Sequence, residues 1–118
     1  MKHDERKLTI AIADYLTLAL PPEVVWTHFP AGELRTTKTG ALLKRMGLKP
    51  GVPDFLLWWK GKAYAIEVKV LGGRTSTNQL YMIDALICAG VHVCIVHRFE
   101  GVPSFLKSIG MKLKAKVA

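Results

Sequence analysis

Asp54-Phe55-Leu56-Leu57-Trp58-Trp59-Lys60-Gly61-Lys62-Ala63-Tyr64-Ala65-Ile66-Glu67-Val68-Lys69-Val70 reads as two apolar strands, Asp54–Trp59 and Ala63–Val70. Lys60-Gly61-Lys62 joins them as a short glycine-containing connection of the kind used in β-hairpins. Antiparallel neighbours place Asp54 and Glu67 at the same end of the pair. Along the second strand, Tyr64, Ile66 and Val68 take one face and Ala65, Glu67 and Lys69 the other. Glu67 and Lys69 are then neighbours on one surface, roughly 6–7 Å apart along the strand. Charges set in core-like strands are costly unless something pairs with them. Two readings follow, a buried ion pair and a metal-dependent hydrolytic site.

Upstream, Asp4 to about Leu20 reads as a helix, with Leu8, Ile12, Tyr15, Leu16 and Ala19 at helical spacing and Pro21-Pro22 as its stop. Glu5 falls on the stripe of the core residues, whereas Asp4 is off it and suits an N-cap. An acid on the buried face of a helix start either complements the helix dipole or points into the site suggested by Asp54 and Glu67. Val24–Phe29 is a short strand closed by Pro30 and Gly32. From Glu33 to Lys38 the chain turns polar and basic, and either contacts phosphate or is an ordinary solvated loop. Thr39–Met46 is a short helix with Leu42, Leu43 and Met46 inward, Lys44 and Arg45 outward, and Gly47 as its stop. Pro50-Gly51-Val52-Pro53 forces a turn or an extended entry into Asp54.

Downstream, Leu71-Gly72-Gly73-Arg74-Thr75 is a basic loop leading into Ser76-Thr77-Asn78-Gln79, an S-x-x-Q capping box. The helix it opens runs to about Ala89, with Leu80, Ile83 and Ile87 on one face and Gly90 as terminator. Val91–Val96 is a strand apolar enough to be central. Pro103 begins a last helix through Phe105, Leu106 and Ile109, stopped by Gly110, and the tail carries Lys112, Lys114 and Lys116. A hairpin followed by a strand–helix–strand step calls for a small mixed β-sheet flanked by helices, with a right-handed parallel crossover. The fold class is α/β, in one domain spanning 1–118.

The 118 residues are half hydrophobic with slightly positive mean hydropathy, which excludes global disorder. No apolar run approaches the roughly 18–20 residues that span a bilayer, and the charged start is unlike a signal peptide. A soluble, cytoplasmic protein is expected. The net charge of +8 and pI near 9.7 attract polyanions, nucleic acid foremost. Cys88 and Cys94 read as buried thiols without a disulfide. His3, His28, His92 and His97 lack an HExxH spacing and read as core or surface residues. Two isolated cysteines make no zinc cluster, and neither a P-loop nor a GxSxG elbow is present.

Mg²⁺ prefers hard oxygen ligands and is typically held by one or two carboxylates together with substrate phosphate. Asp54 and Glu67 supply that number, and the Val68 carbonyl could add a neutral oxygen. Lys69 could orient or deprotonate an attacking water, or stabilise charge building on a phosphate. A structural salt bridge from Lys69 to Glu67 or Asp54 would use the same residues without catalysis. Gln79 has a structural role as capping partner.

Gly51-Val52-Pro53-Asp54, Ile66-Glu67-Val68-Lys69 and Ser76-x-x-Gln79 together resemble the VRR-NUC family of the PD-(D/E)xK nuclease superfamily. The segment from His28-Phe29-Pro30 to Met46-Gly47 is similar to short, standalone, phage-type members. The resemblance implies a restriction-endonuclease-like core, with Asp54 and Glu67 as metal ligands and Lys69 as the catalytic lysine. It makes Gln79 a site residue at a helix start and lets Glu5 reach the metal through water. The cofactor implied is Mg²⁺, with Mn²⁺ as substitute.

Standalone members are similar to Holliday-junction resolvases that act as homodimers on branched DNA, while larger relatives with added domains act on flaps. The expectation here is a homodimeric, structure-selective DNA endonuclease, in the bacterial host cytoplasm if phage-encoded. Two-fold symmetry would supply the two incisions a four-way junction needs. Trp58, Trp59 or the Phe105–Ile109 helix could form the interface, with core packing the more ordinary explanation for these residues. DNA contacts are expected from Arg35, Lys38, Lys44, Arg45, Arg74 and Ser76. The alternative is a non-catalytic basic nucleic-acid-binding module using the same cations and the lysine tail.

Overall fold

A computed structural model describes residues 3–30 and 37–114. Helix α1 (His3–Ala19) precedes strand β1 (Val25–His28), helix α2 (Thr37–Arg45) and strands β2 (Phe55–Trp59) and β3 (Lys62–Val68). Helix α3 (Thr77–Cys88), strand β4 (His92–Val96) and helix α4 (Gly101–Ser108) complete the order. The four strands form one mixed sheet in the order β1-β2-β3-β4, antiparallel except for the parallel β3–β4 pair. The α/β class, the hairpin and the parallel strand–helix–strand step are therefore as expected.

The hairpin turn is tighter than the three-residue connection read from the sequence. Trp59 pairs with Lys62, leaving Lys60 and Gly61 as a two-residue loop with φ of 50° and 75°. Positive φ at both positions is the form whose twist matches that of the flanking strands. Phe55 pairs with Ile66, so Asp54 sits one step beyond β2, beside the end of β3 that carries Glu67.

The core lies on the sheet face of Phe55, Leu57, Tyr64, Ile66 and Val68, covered by Ile12, Leu16 and Ala19 of α1 and Val102 and Leu106 of α4. Helix α3 belongs to the other face, where Gln79 reaches Glu67. β4 is an edge strand rather than a central one. Its apolar composition reflects the buried Val96 and the half-buried Val93 and Cys94, while Ile95 stays exposed.

Several side chains face differently from the periodic reading. On α2, Leu42 and Met46 are exposed and Leu43 is half-buried. On α3, Leu80 and Ile87 are exposed while Gln79, Met82, Ile83 and Leu86 turn inward, so the buried stripe is rotated toward Gln79. Cys88 is exposed and Cys94 half-buried. Trp59 is core, with Trp58 outside, and Phe105 and Ile109 pack against the core. Asp4 lies within the first turn of α1 rather than capping it, and α4 begins at Gly101, ahead of Pro103.

Candidate active site

The site lies where β2 begins and β3 ends. The Asp54 carboxylate Oδ2 accepts a hydrogen bond from the Val68 amide at 2.8 Å. The backbone of Asp54 is held from the opposite side, its carbonyl accepting from the Phe29 amide at 2.7 Å and from His28 Nδ1 at 2.7 Å. Glu67 is 1% exposed, stands in the β3 ladder opposite Ile95, and its carboxyl is close enough to that of Asp54 for each to shift the other's titration. Two carboxyls thus act on each other, Glu67 buried and Asp54 half-buried.

Burial drives the Glu67 carboxyl up to about 8, and the neighbouring Asp54 charge adds to it. Burial also raises Asp54, against the Val68 hydrogen bond and the charges of His28 and Lys69, which pull it down. A single proton shared between the two is the state this arrangement favours near neutral pH, because like charges in contact cannot both ionise cheaply.

Lys69 is 8% exposed. Its Nζ lies 3.7 Å from Glu67 Oε2 and 3.9 Å from Glu5 Oε1, close enough for charge pairing and too long for a hydrogen bond. Glu5 on α1 therefore faces the site, through Lys69. The Lys69 peptide is anchored to the end of β4: its N–H donates to the Val96 carbonyl at 2.9 Å, and its carbonyl accepts from His97 Nδ1 at 2.9 Å.

Besides reaching Glu67, Gln79 is the capping partner expected from the sequence. Its Oε1 accepts from the Ser76 amide at 2.9 Å, while the Ser76 hydroxyl accepts from the Gln79 amide at 3.1 Å, closing the capping box. The cap leaves the Gln79 NH₂ free to donate to Glu67 Oε2 at 2.8 Å. A helix-capping side chain is thereby turned into a fixed donor to the most deeply buried acid of the site.

Gly51 holds the turn before Asp54 against α3. Its φ is +84°, and a Cβ there would run into the Asn78 carbonyl and lie 2.8 Å from the Gln79 amide nitrogen. Only glycine combines the left-handed conformation with so close a backbone approach. The sequence had shown a turn at this point but not the helix pressed against it.

The residues expected to touch DNA are more dispersed. Lys38, Lys44 and Arg45 are exposed on α2, Arg74 is exposed in the loop between Lys69 and Ser76, and the Ser76 hydroxyl is engaged in the cap. Arg35 lies outside the described residues, as do Thr36 and Lys116. The Lys114 amide donates to the Ala19 carbonyl at 2.8 Å, which places that part of the lysine tail at the far end of α1. Ala19 lies fourteen helical steps, about 21 Å, from Glu5.

The donor set suits a hard divalent cation: two neighbouring carboxyls, one buried and one half-buried, with a carbonyl-bearing strand end beside them. Among the described residues no group of three or more His, Cys, Asp or Glu side chains is placed to hold a metal ion, so any cation here would depend on backbone, water or substrate oxygens as well. No described helix is long and apolar enough to cross a membrane.

A search of curated proteins finds no match. Among solved structures, one described as a VRR_NUC domain protein superposes with a TM-score of 0.71 at 17% identity, covering 92% of this chain and 88% of that one. A second, described as a VRR_NUC domain, gives 0.53 at 18% identity, covering 88% and 91%. These likenesses concern the fold. Residues 6–99 match the VRR-NUC domain family, a span that contains Asp54, Glu67, Lys69 and Gln79, and the chain belongs to that family of nuclease-type, DNA-processing domains.

Proposed function

We propose that this protein is a Mg²⁺- or Mn²⁺-dependent endodeoxyribonuclease that hydrolyses phosphodiester bonds in branched DNA, Holliday junctions among them, and acts as a homodimer. The observation that carries the reading is the electrostatic contact between the half-buried Asp54 carboxyl and the buried Glu67 carboxyl, with Lys69 Nζ 3.7 Å from Glu67. In a purely structural role that contact would be a liability, since one carboxyl must hold a proton or repel the other. In a cation site it is the resting state of two ligands.

Asp54, Glu67 and the Val68 carbonyl would hold the cation, with Glu5 acting through water. A divalent cation, when bound, lowers the pKa of water and offsets phosphate charge in an in-line displacement. The chain's own residues supply the remainder. Val68 and Gln79 orient the two carboxylates through their N–H groups. Lys69, released from its pairing with Glu67 and Glu5 as phosphate enters, orients the attacking water or stabilises charge on the phosphate. Lys38, Lys44, Arg45 and Arg74, with Arg35 and Ser76, track the backbone of the substrate. Trp58, 45% exposed, is the remaining aromatic candidate for a two-fold interface.

Labelled four-way junctions, flaps and linear duplex, each incubated with the protein in the presence of Mg²⁺, Mn²⁺ or a chelator, test the proposal. Cleavage that requires the cation and favours branched substrates is expected. Salt-dependent DNA binding without cleavage under any condition would overturn it, and would leave the non-catalytic binding module as the better account.

A further inference from the structure

Asp54 and Lys69 share a weakness that Glu67 does not. Glu67 lies within β3 and pairs with Ile95 of β4. Asp54 precedes β2 by one residue and Lys69 follows β3 by one residue, so the regular strand pairing ends just short of both. Each keeps one backbone bond to a neighbouring segment, from the Phe29 amide to the Asp54 carbonyl and from the Lys69 amide to the Val96 carbonyl. Each is held in addition by a histidine from an outer strand or its exit. His28, the last residue of β1, donates Nδ1–H to the Asp54 carbonyl at 2.7 Å. His97, the first residue after β4, donates Nδ1–H to the Lys69 carbonyl at 2.9 Å.

From these two bonds we infer that His28 and His97 are positioning residues for the proposed cleavage, fixing the backbones of the metal-ligand aspartate and of the lysine. The inference rests on the nuclease reading for its kinetic consequence but not for the bonds themselves. A carbonyl oxygen can only accept, so in each ring Nδ1 must carry the proton. His28 is further seated by its ring contact with Phe55, 5.4 Å between centroids, and shares its acceptor with the Phe29 amide. His97 is exposed, so its substitution removes the clip without opening the core. Small displacements of catalytic groups are expensive in rate, and loss of an outer partner of a site residue typically costs about 10–100-fold.

The test uses the full chain. Long-range ¹H–¹⁵N spectra above the titration range of histidine should show both rings as the Nδ1–H tautomer; an Nε2–H tautomer in either ring overturns that clip. His97→Asn places an amide N–H near the position of Nδ1, whereas His97→Gln reaches the position of Nε2 and His97→Ala offers no donor. Ala and Gln are expected to speed amide exchange at Lys69 and to lower the single-turnover cleavage rate of a four-way junction about 10–100-fold at unchanged DNA affinity. Asn should restore both. Wild-type exchange and rate in His97→Ala would overturn the positioning role. If the wild-type protein cuts no DNA while tautomers and exchange behave as expected, the nuclease reading fails and the clips stand.

Discussion

The two faces of β3 are equally dry and chemically opposite. On one, Tyr64, Ile66 and Val68 join an apolar cluster closed by α1 and α4. On the other, Ala65, Glu67 and, just past the strand, Lys69 are as deeply buried, yet two of the three are charged or ionisable. Burial alone does not distinguish a core from a site. The first face gains from burial, by roughly 25 cal/mol for each Å² of apolar surface removed from water. The second must offset it, with the Val68 amide, the Gln79 amide, a shared proton and a lysine. A strand that spends one face on stability and the other on held charge has the layout expected of a catalytic scaffold.

The largest effect should come from the apolar face. Phe55→Ala empties a fully buried position and should lower unfolding free energy by about 3–5 kcal/mol, measured by denaturant unfolding. A loss below about 1 kcal/mol would mean that this face is not the core.

Glu67→Gln sharpens the contrast, because it keeps the shape of the side chain while removing its titration. The folded-state value of Glu67, about 8, lies above its ordinary 4.5. The native state therefore retains a proton that the unfolded chain releases. That contribution to stability is complete below about pH 4.5 and is lost as pH rises through about 8. In metal-free protein, Glu67→Gln should match the wild type near pH 4.5 and exceed it by about 1–3 kcal/mol at pH 9, while cleavage disappears. A variant less stable than the wild type at both pH values would point to a structural ion pair instead.

Gly51→Ala tests how the turn before Asp54 is tied to α3. Positive φ and contact with Asn78 together predict a loss of about 1–3 kcal/mol, with cleavage falling further than stability explains. Ser76→Ala is the mildest change. Loss of an N-cap costs about 1 kcal/mol, and because Gln79 then loses half of its anchorage, single-turnover cleavage at saturating DNA should drop about 10-fold. A fall in thermal stability with full activity would separate the cap from the site.

Much of this layout is legible in the chain, and the limits are instructive. The period-two alternation through Glu67 and Lys69 places both on one surface, and the hairpin brings Asp54 to the same end, because both are local properties of strands. Glu5 is found by its position on a core-facing helical stripe. Gln79 reads as a capping residue, and its second bond, to Glu67, has no local signature. The same holds for His28, His97 and Gly51, whose partners lie 26, 28 and 27 residues away (54 − 28, 97 − 69 and 78 − 51). Composition misleads at β4, where an apolar sequence stands at a sheet edge, and at α2 and α3, where apolar side chains such as Leu42, Met46, Leu80 and Ile87 are exposed. Helical periodicity names a stripe but not which side of it a neighbouring site will claim. The lysine tail shows the converse limit, since charge along the chain says nothing about which end of the molecule carries it.

The central claim is that the buried acids of β3 and its neighbour form a cation site rather than a private ion pair. Its most direct test is the thermal midpoint of wild-type and Glu67→Gln protein at pH 8, with and without Mn²⁺. The wild type should gain stability on adding Mn²⁺, because the cation takes the place of the shared proton, and Glu67→Gln should gain little. Equal shifts in the two proteins, or none in the wild type, would contradict the account.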